Sequence, residues 1–160
     1  MLTCSRRAAL GLFASLAVAA CARPDRTEEA ALPLSATPLY PNETPELRRL
    51  IEAAARENDV PVELVHRVII RESRHRPGAR NGPYYGLMQI LPATARTMGF
   101  RGQPNDLLDA ETNLRYAVRY LRGAWLLSDG SHDRAVMWYA RGYYYEAKRR
   151  GMLRETGLRP

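Results

Sequence analysis

Acid is what the middle of this chain lacks. From Ser73 to Asn105 there is no Asp or Glu, while Arg, Tyr and Gly recur. Glu72, the last acid before that gap, is a carboxylate isolated in sequence, at the end of the apolar helical stripe of Val62, Val65, Val68 and Ile69. A helix-end glutamate is by default a solvated surface charge.

Cysteine is nearly absent too. Cys4 and Cys21 both precede residue 22, so residues 22–160 hold no disulfide and must be stabilised by a core. The histidines, His66, His75 and His132, match no helical metal pair such as HExxH, and zinc-type Cys pairs are missing. We therefore expect no metal and no cofactor. There is no Gly-rich phosphate loop, no Ser-His-Asp order, no internal repeat and no low-complexity tract.

What is there is basic. A length of 160 residues allows one compact domain plus an export segment, and a net charge of +7, mainly from arginine, suits an anionic partner. Nucleic acid, a membrane surface and an acidic polymer all qualify. Compartment decides among them.

Arg6 and Arg7 precede an apolar run from Ala8 to Ala20 that is too short to span a bilayer and reads as an export signal. Its end, Val18-Ala19-Ala20-Cys21, resembles the lipobox of bacterial lipoproteins, which implies cleavage before Cys21 and lipid on that residue; the alternative is an ordinary signal with an incidental Cys. Ser5-Arg6-Arg7 is a weak twin-arginine signal, because Ala9 stands where Phe is usual. The expectation is an exported monomer on the periplasmic side of the envelope, anchored at the outer membrane through Cys21. An exported chain seldom meets nucleic acid, which leaves the envelope as its acidic partner.

Residues 22–43, with Pro24, Pro33, Pro38 and Pro41, read as a flexible linker, about 25 Å across as a coil and about 70 Å at full stretch. Residues 44–151 read as the domain and 152–160 as a loose tail. Thr44 and Pro45 start a first helix carrying Leu47, Leu50, Ile51 and Ala54 at core spacing, and a second runs from Pro61 to about Ser73. Residues 74–85, with Asn81-Gly82-Pro83, predict an irregular loop or a short β-hairpin. Pro92 to Met98 predict a short helix, Asp109 caps a long one to about Ser128, Ser131 caps another, and Tyr143 to Arg150 predict the last. The fold class is all-α, with one loop-rich insertion after Glu72.

The ordered set Glu72-Ser73, Pro77, Gly86-Leu87-Met88-Gln89-Ile90 and Pro92-Ala93-Thr94-Ala95 resembles the soluble lytic transglycosylase family, whose goose-lysozyme-like domain carries ES, GLMQ and PxTA in this order. Asn113 with Tyr120-Leu121 is similar to the family's NxxxGxxYL helix, and Trp138 to Gly142 to its AYNAG segment. The likeness covers roughly Thr44 to Gly151. The chain departs from the pattern at Asn81, where a Ser is usual, at Ala140 for the Asn of AYNAG, at Ala117 for Gly and at Leu91 for Met, and its loop before GLMQ is about one residue shorter.

Protonating a glycosidic oxygen needs a carboxylic acid whose pKa is raised toward the working pH. The negative end of its helix and apolar neighbours (Met88, Tyr84, Tyr85 and Tyr139) push Glu72 that way, provided Arg74 and Arg76 point outward. Hydrolases also need a second carboxylate, about 5–5.5 Å away for retention or about 6.5–9.5 Å for inversion. The acid-free stretch offers none, although Asp106, Asp109 or Asp133 can be brought close by folding.

The resemblance implies a single-carboxylate reaction on peptidoglycan. Glu72 protonates the oxygen between N-acetylmuramic acid and N-acetylglucosamine, the acetamide stabilises the cationic sugar, and Glu72 then takes the proton of the 6-hydroxyl to leave a 1,6-anhydro end. It also implies substrate contacts from Ser73, Asn81, Met88, Gln89 and Tyr139. Simpler readings stand beside these: Ser73 as a helix-end residue, Asn81 and Gln89 as turn residues, Tyr139 as a hydrogen-bond partner of Glu72, and Met88 as packing beneath the Glu. Other readings of the whole chain are a hydrolytic muramidase of the same fold and a peptidoglycan-binding lipoprotein without turnover.

Overall fold

The computed structural model describes residues 37–159, so the export segment with Cys21, and most of the expected linker, lie outside the described residues. Six helices and one hairpin follow: α1 (Pro45–Glu57), α2 (Val62–Glu72), β1 (Arg80–Asn81), β2 (Tyr84–Tyr85), α3 (Pro92–Thr97), a 3-10 turn (Pro104–Leu108), α4 (Ala110–Leu126), α5 (His132–Arg141) and α6 (Tyr144–Arg150). The all-α expectation with a hairpin insertion is what the structure shows.

The helix starts are made by the expected caps. Thr44 Oγ1 accepts from the Leu47 amide (3.1 Å), Asp109 from that of Thr112 (2.8 Å) and Ser131 from that of Arg134 (3.3 Å). Each cap satisfies an amide that would otherwise lack a helical acceptor.

Helix α4 is the axis of the core and packs against α1, α3 and α5. Its Leu114, Ala117, Val118, Leu121 and Ala124 meet Leu47 and Ile51 of α1, while Leu64, Val65, Val68 and Ile69 of α2 bury the other side of the same cluster. Each large apolar side chain buried this way contributes about 1.5–3 kcal/mol, which suits a domain with no covalent staple. Among the described residues no helix is long and apolar enough to cross a membrane.

The hairpin is antiparallel, pairing Arg80 with Tyr85 and Asn81 with Tyr84. Its turn residues are Gly82 and Pro83, and Gly82 takes φ +56°, a value glycine adopts without strain. Tyr85 then bridges Ile90, closing a tight loop over Gly86–Gln89.

Two boundaries differ from expectation. Within the expected loose tail of 152–160, residues 152–159 are packed: Thr156 is buried, its hydroxyl donates to the Met152 carbonyl (2.7 Å), and Met152, Leu153 and Leu158 pack on the core. The short helical turns there hide apolar residues too few to show a period. Likewise the end of the expected linker is fastened to the helices, with Glu43 buried and Arg48 donating to the carbonyls of Thr37 (3.1 Å) and Pro38 (3.1 Å).

Candidate active site

Helix α2 delivers Glu72 to an open groove of about 370 Å³ lined by Arg71, Glu72, Asn81, Tyr84, Gln89, Tyr139 and Ala140. Among the described residues, Glu72 is the acid on this lining. Its side chain is 24% exposed, reachable yet largely withdrawn from water. Burial pushes the Glu72 carboxyl above the ordinary carboxylate range, and the Arg71 guanidinium pulls it back. Arg71 Nε stands 3.5 Å from Oε1.

Arg71 was invisible to spacing arguments because neighbours in a helix do not normally face each other. The arginines that drew attention turn away: Arg74 is exposed, and Arg76 Nε donates to the Ser73 carbonyl (2.9 Å).

The helix ends abruptly behind the acid. Ser73 and Arg74 both donate their amides to the Ile69 carbonyl (2.9 Å each), and Arg74 and His75 then take φ +54° and +58°. Left-handed backbone costs a non-glycine residue about 1–2 kcal/mol, so two in succession mark a turn held from outside. Ser73 is buried, its hydroxyl accepting from the Arg76 amide (3.3 Å); it caps the helix and does not line the groove.

The opposite wall is the Gly86–Gln89 loop, tied down from α4 and α5. Asn113, fully buried, accepts from the Met88 amide (3.0 Å) and donates to the carbonyls of Tyr85 (2.9 Å) and Leu107 (2.8 Å). Tyr139 donates its hydroxyl to the Met88 carbonyl (2.9 Å). That bond commits the Tyr139 proton to the loop and away from Glu72, while the ring still forms groove wall. Burial holds the Tyr139 hydroxyl well above its usual pKa, with the Glu72 charge adding to the effect.

Met88 itself is wholly buried, so its side chain packs in the core. Gln89 lies on the groove, but both its amide protons are used: Nε2 donates to the carbonyls of Ala79 (3.0 Å) and Gly86 (2.9 Å). Its carbonyl oxygen is the group left for a ligand. Asn81 is exposed on β1, across the groove from Glu72.

Ala140 lines this groove and two adjoining depressions. One, of about 290 Å³, adds Ile90, Leu91, Thr94, Tyr120, Arg141 and Gly142; the other, of about 340 Å³, adds Arg67, Asp133, Val136 and Met137. A side chain longer than methyl at position 140 would stand where the three meet. Asp133, in the second depression, is ion-paired with Arg67.

Elsewhere the fold brings together two histidines that spacing kept apart. His66 Nδ1 and His75 Nε2 stand 3.1 Å apart, both buried, because the left-handed turn swings His75 back along α2. With a Glu43 oxygen they form donor atoms within 4.8 Å of one another. Arg48 holds that carboxylate with two hydrogen bonds (2.8 and 2.5 Å), so the anion that would favour a divalent cation is already neutralised. The set fits a hydrogen-bonded network better than a cation site.

Residues 49–152 match the family model described as the transglycosylase SLT domain. The chain belongs to that family. The match takes in α2, the hairpin, the Gly86–Gln89 loop, α4 and α5, and lytic-transglycosylase-type activity on peptidoglycan goes with this domain. No curated protein and no solved structure matches the chain.

Proposed function

We propose that this protein cleaves the β-1,4 bond between N-acetylmuramic acid and N-acetylglucosamine without water, leaving 1,6-anhydro ends, with Glu72 as both acid and base. The observation that carries this reading is a groove lined by one carboxylate, partly buried and with its pKa raised. A raised pKa keeps the proton on Glu72 until the glycosidic oxygen takes it. The carboxylate so formed lies next to the departing sugar and can accept the 6-hydroxyl proton as that oxygen closes on the anomeric carbon. The acid regains its proton, and atoms balance with no water consumed.

The other groove residues bind and orient. Tyr84 and Tyr139 offer aromatic surface to sugar rings, Asn81 and the Gln89 carbonyl offer polar contacts to acetamido groups, and Arg71 adds a cation beside the acid. Ser73 and Met88 act from behind, by capping α2 and by anchoring the loop. Two-carboxylate hydrolysis is disfavoured by the lining, since Asp133 lies in an adjoining depression and is paired with Arg67.

The expected lipid at Cys21 would place this activity at the periplasmic face of the outer membrane, for local remodelling of the wall by a monomer that does not engage nucleic acid. Support comes from the apolar run Ala8–Ala20 ending in Val18-Ala19-Ala20-Cys21. The test is digestion of purified sacculi by the full chain, followed by mass measurement of the released muropeptides. Anhydro-ended products support the reading and products heavier by one water favour hydrolysis. Release by Glu72→Gln at the wild-type rate would sink the role given to Glu72.

A further inference from the structure

The cluster formed by Tyr40, Glu43, His66 and His75 lies behind the groove and has no part in the chemistry just described. Its position relative to Glu72 gives it a task. The two strained residues, Arg74 and His75, follow the acid almost at once, and the Arg74 amide helps close the last turn of α2 by donating to the Ile69 carbonyl (2.9 Å). A return of either residue to negative φ would rotate the peptides that fix this turn, and the Glu72 carboxyl with it. Strain of this kind persists only where surrounding contacts over-determine it.

Those contacts come from two places, and neither is the groove. His75, 1% exposed, faces His66 one way and stacks on Tyr40 the other (ring centroids 5.1 Å, planes 9° apart). Asn42 Nδ2 donates to the Arg74 carbonyl (3.0 Å). Tyr40 is itself placed by Glu43, whose carboxylate accepts from the Tyr40 amide (2.9 Å) and is gripped by Arg48 of α1, and Asn42 lies in the turn that the Glu43 amide closes by donating to the Tyr40 carbonyl (3.0 Å). Each strained residue thus has a partner in the segment just before α1, and that partner is fixed by a buried ion pair.

We propose that Tyr40, Asn42, Glu43 and His66 form a clamp that holds the left-handed turn at Arg74 and His75, making His75 a positioning residue for the Glu72 carboxyl. The clamp rests on the reading of Glu72 as the reacting acid. It also means that the end of the stretch leading from Cys21 is part of the machinery that sets the acid.

Glycine at position 75 removes the clamp's grip while making the left-handed φ free of strain, so a purely structural role and a positioning role part company there. In the full chain acting on sacculi, His75→Gly is expected to lower kcat by about tenfold or more with KM within about twofold. His75→Asn, which tolerates the left-handed region and keeps a hydrogen-bonding group toward His66, should recover most of that loss. Asn42→Gly removes an exposed side chain at a φ of +67° that glycine takes without strain, and it decides the matter even where His75→Gly fails to fold; it should lower kcat by about threefold. Wild-type kcat in Asn42→Gly overturns the clamp, as does wild-type kcat in a folded His75→Gly, and either result leaves the proposed function standing. Absence of anhydro products from the wild type overturns the function itself, and with it the positioning role.

Discussion

The Tyr139 hydroxyl donates to the main-chain carbonyl of Met88 at 2.9 Å, tying α5 to the loop that faces Glu72. The bond makes Tyr139 a brace for the groove wall, with its proton unavailable to the acid. Tyr139→Phe keeps the ring and leaves a buried carbonyl unpaired, at a cost of about 1–3 kcal/mol. Thermal unfolding should register that loss. Muropeptide release should fall far less than in Glu72→Gln; an equal loss would mean that the hydroxyl acts on substrate or acid directly.

The same loop is set from below by Gly86 and Asn113. A Cβ on Gly86 would lie 2.3 Å from both Asn113 Nδ2 and the Leu107 carbonyl, at a φ of +74°. Gly86→Ala is therefore expected to cost about 2 kcal/mol or more, combining backbone strain with a clash against buried polar groups. Asn113→Ala strands the Met88 amide and the Leu107 carbonyl, while the Tyr85 carbonyl keeps the Ile90 amide (3.1 Å), and should cost about 2 kcal/mol or more. Chemical denaturation of both variants measures this, and a change under about 0.5 kcal/mol in either would contradict the account of the loop.

The helices were legible because their signals are local: caps at Thr44, Asp109 and Ser131, and apolar stripes at helical spacing. Glu72 and the loop facing it were legible by their resemblance to a known set of motifs, and the structure places Glu72, Asn81, Gln89 and Tyr139 on one groove. What stayed hidden depends on side chains meeting across the fold. Two successive left-handed residues, neither of them glycine, have no propensity signal at Arg74 and only a weak one at His75. Without that turn, nine residues of separation gave His66 and His75 no reason to meet. The hidden partners of Tyr40 and Glu43 likewise made a packed segment read as linker.

The histidine pair makes stability depend on pH in a definite direction. Burial lowers the His66 pKa from its usual value to about 4 and lowers that of His75 too. The unfolded chain then binds more protons than the folded one between the ordinary histidine pKa of about 6.5 and the depressed values, so stability is full above this window and is lost as pH falls through it. The charges facing the pair are Glu43, Arg48 and, more remotely, Glu63; the two carboxylates oppose the shift without reversing it. The loss from His66 alone approaches about 3 kcal/mol at pH 4. Glu72, with its raised pKa, works in the opposite sense, so the measurement belongs in a Glu72→Gln background. Denaturation midpoints at pH 7.5 and pH 5 should differ in that background, and the difference should narrow without vanishing when His75→Asn is added, because His66 stays buried; equal midpoints without His75→Asn would refute the buried neutral pair.

Arg71 gives the activity profile its own signature. If Glu72 must begin each cycle protonated, the rate falls as pH rises through its pKa, and anything that lowers that pKa moves the alkaline limb toward acid. Arg71, 3.5 Å away, is the cation that lowers it, against the larger upward push of burial. Arg71→Ala should therefore shift the alkaline limb of kcat to higher pH while leaving Glu72 in place. Arg71→Lys, which keeps a positive charge, should move it less. The Arg71 side chain is 55% exposed, so added salt should weaken the wild-type interaction and carry its limb toward that of Arg71→Ala. A limb that stays fixed in Arg71→Ala, or moves toward acid, would show that the titration of Glu72 does not set the alkaline side of the profile.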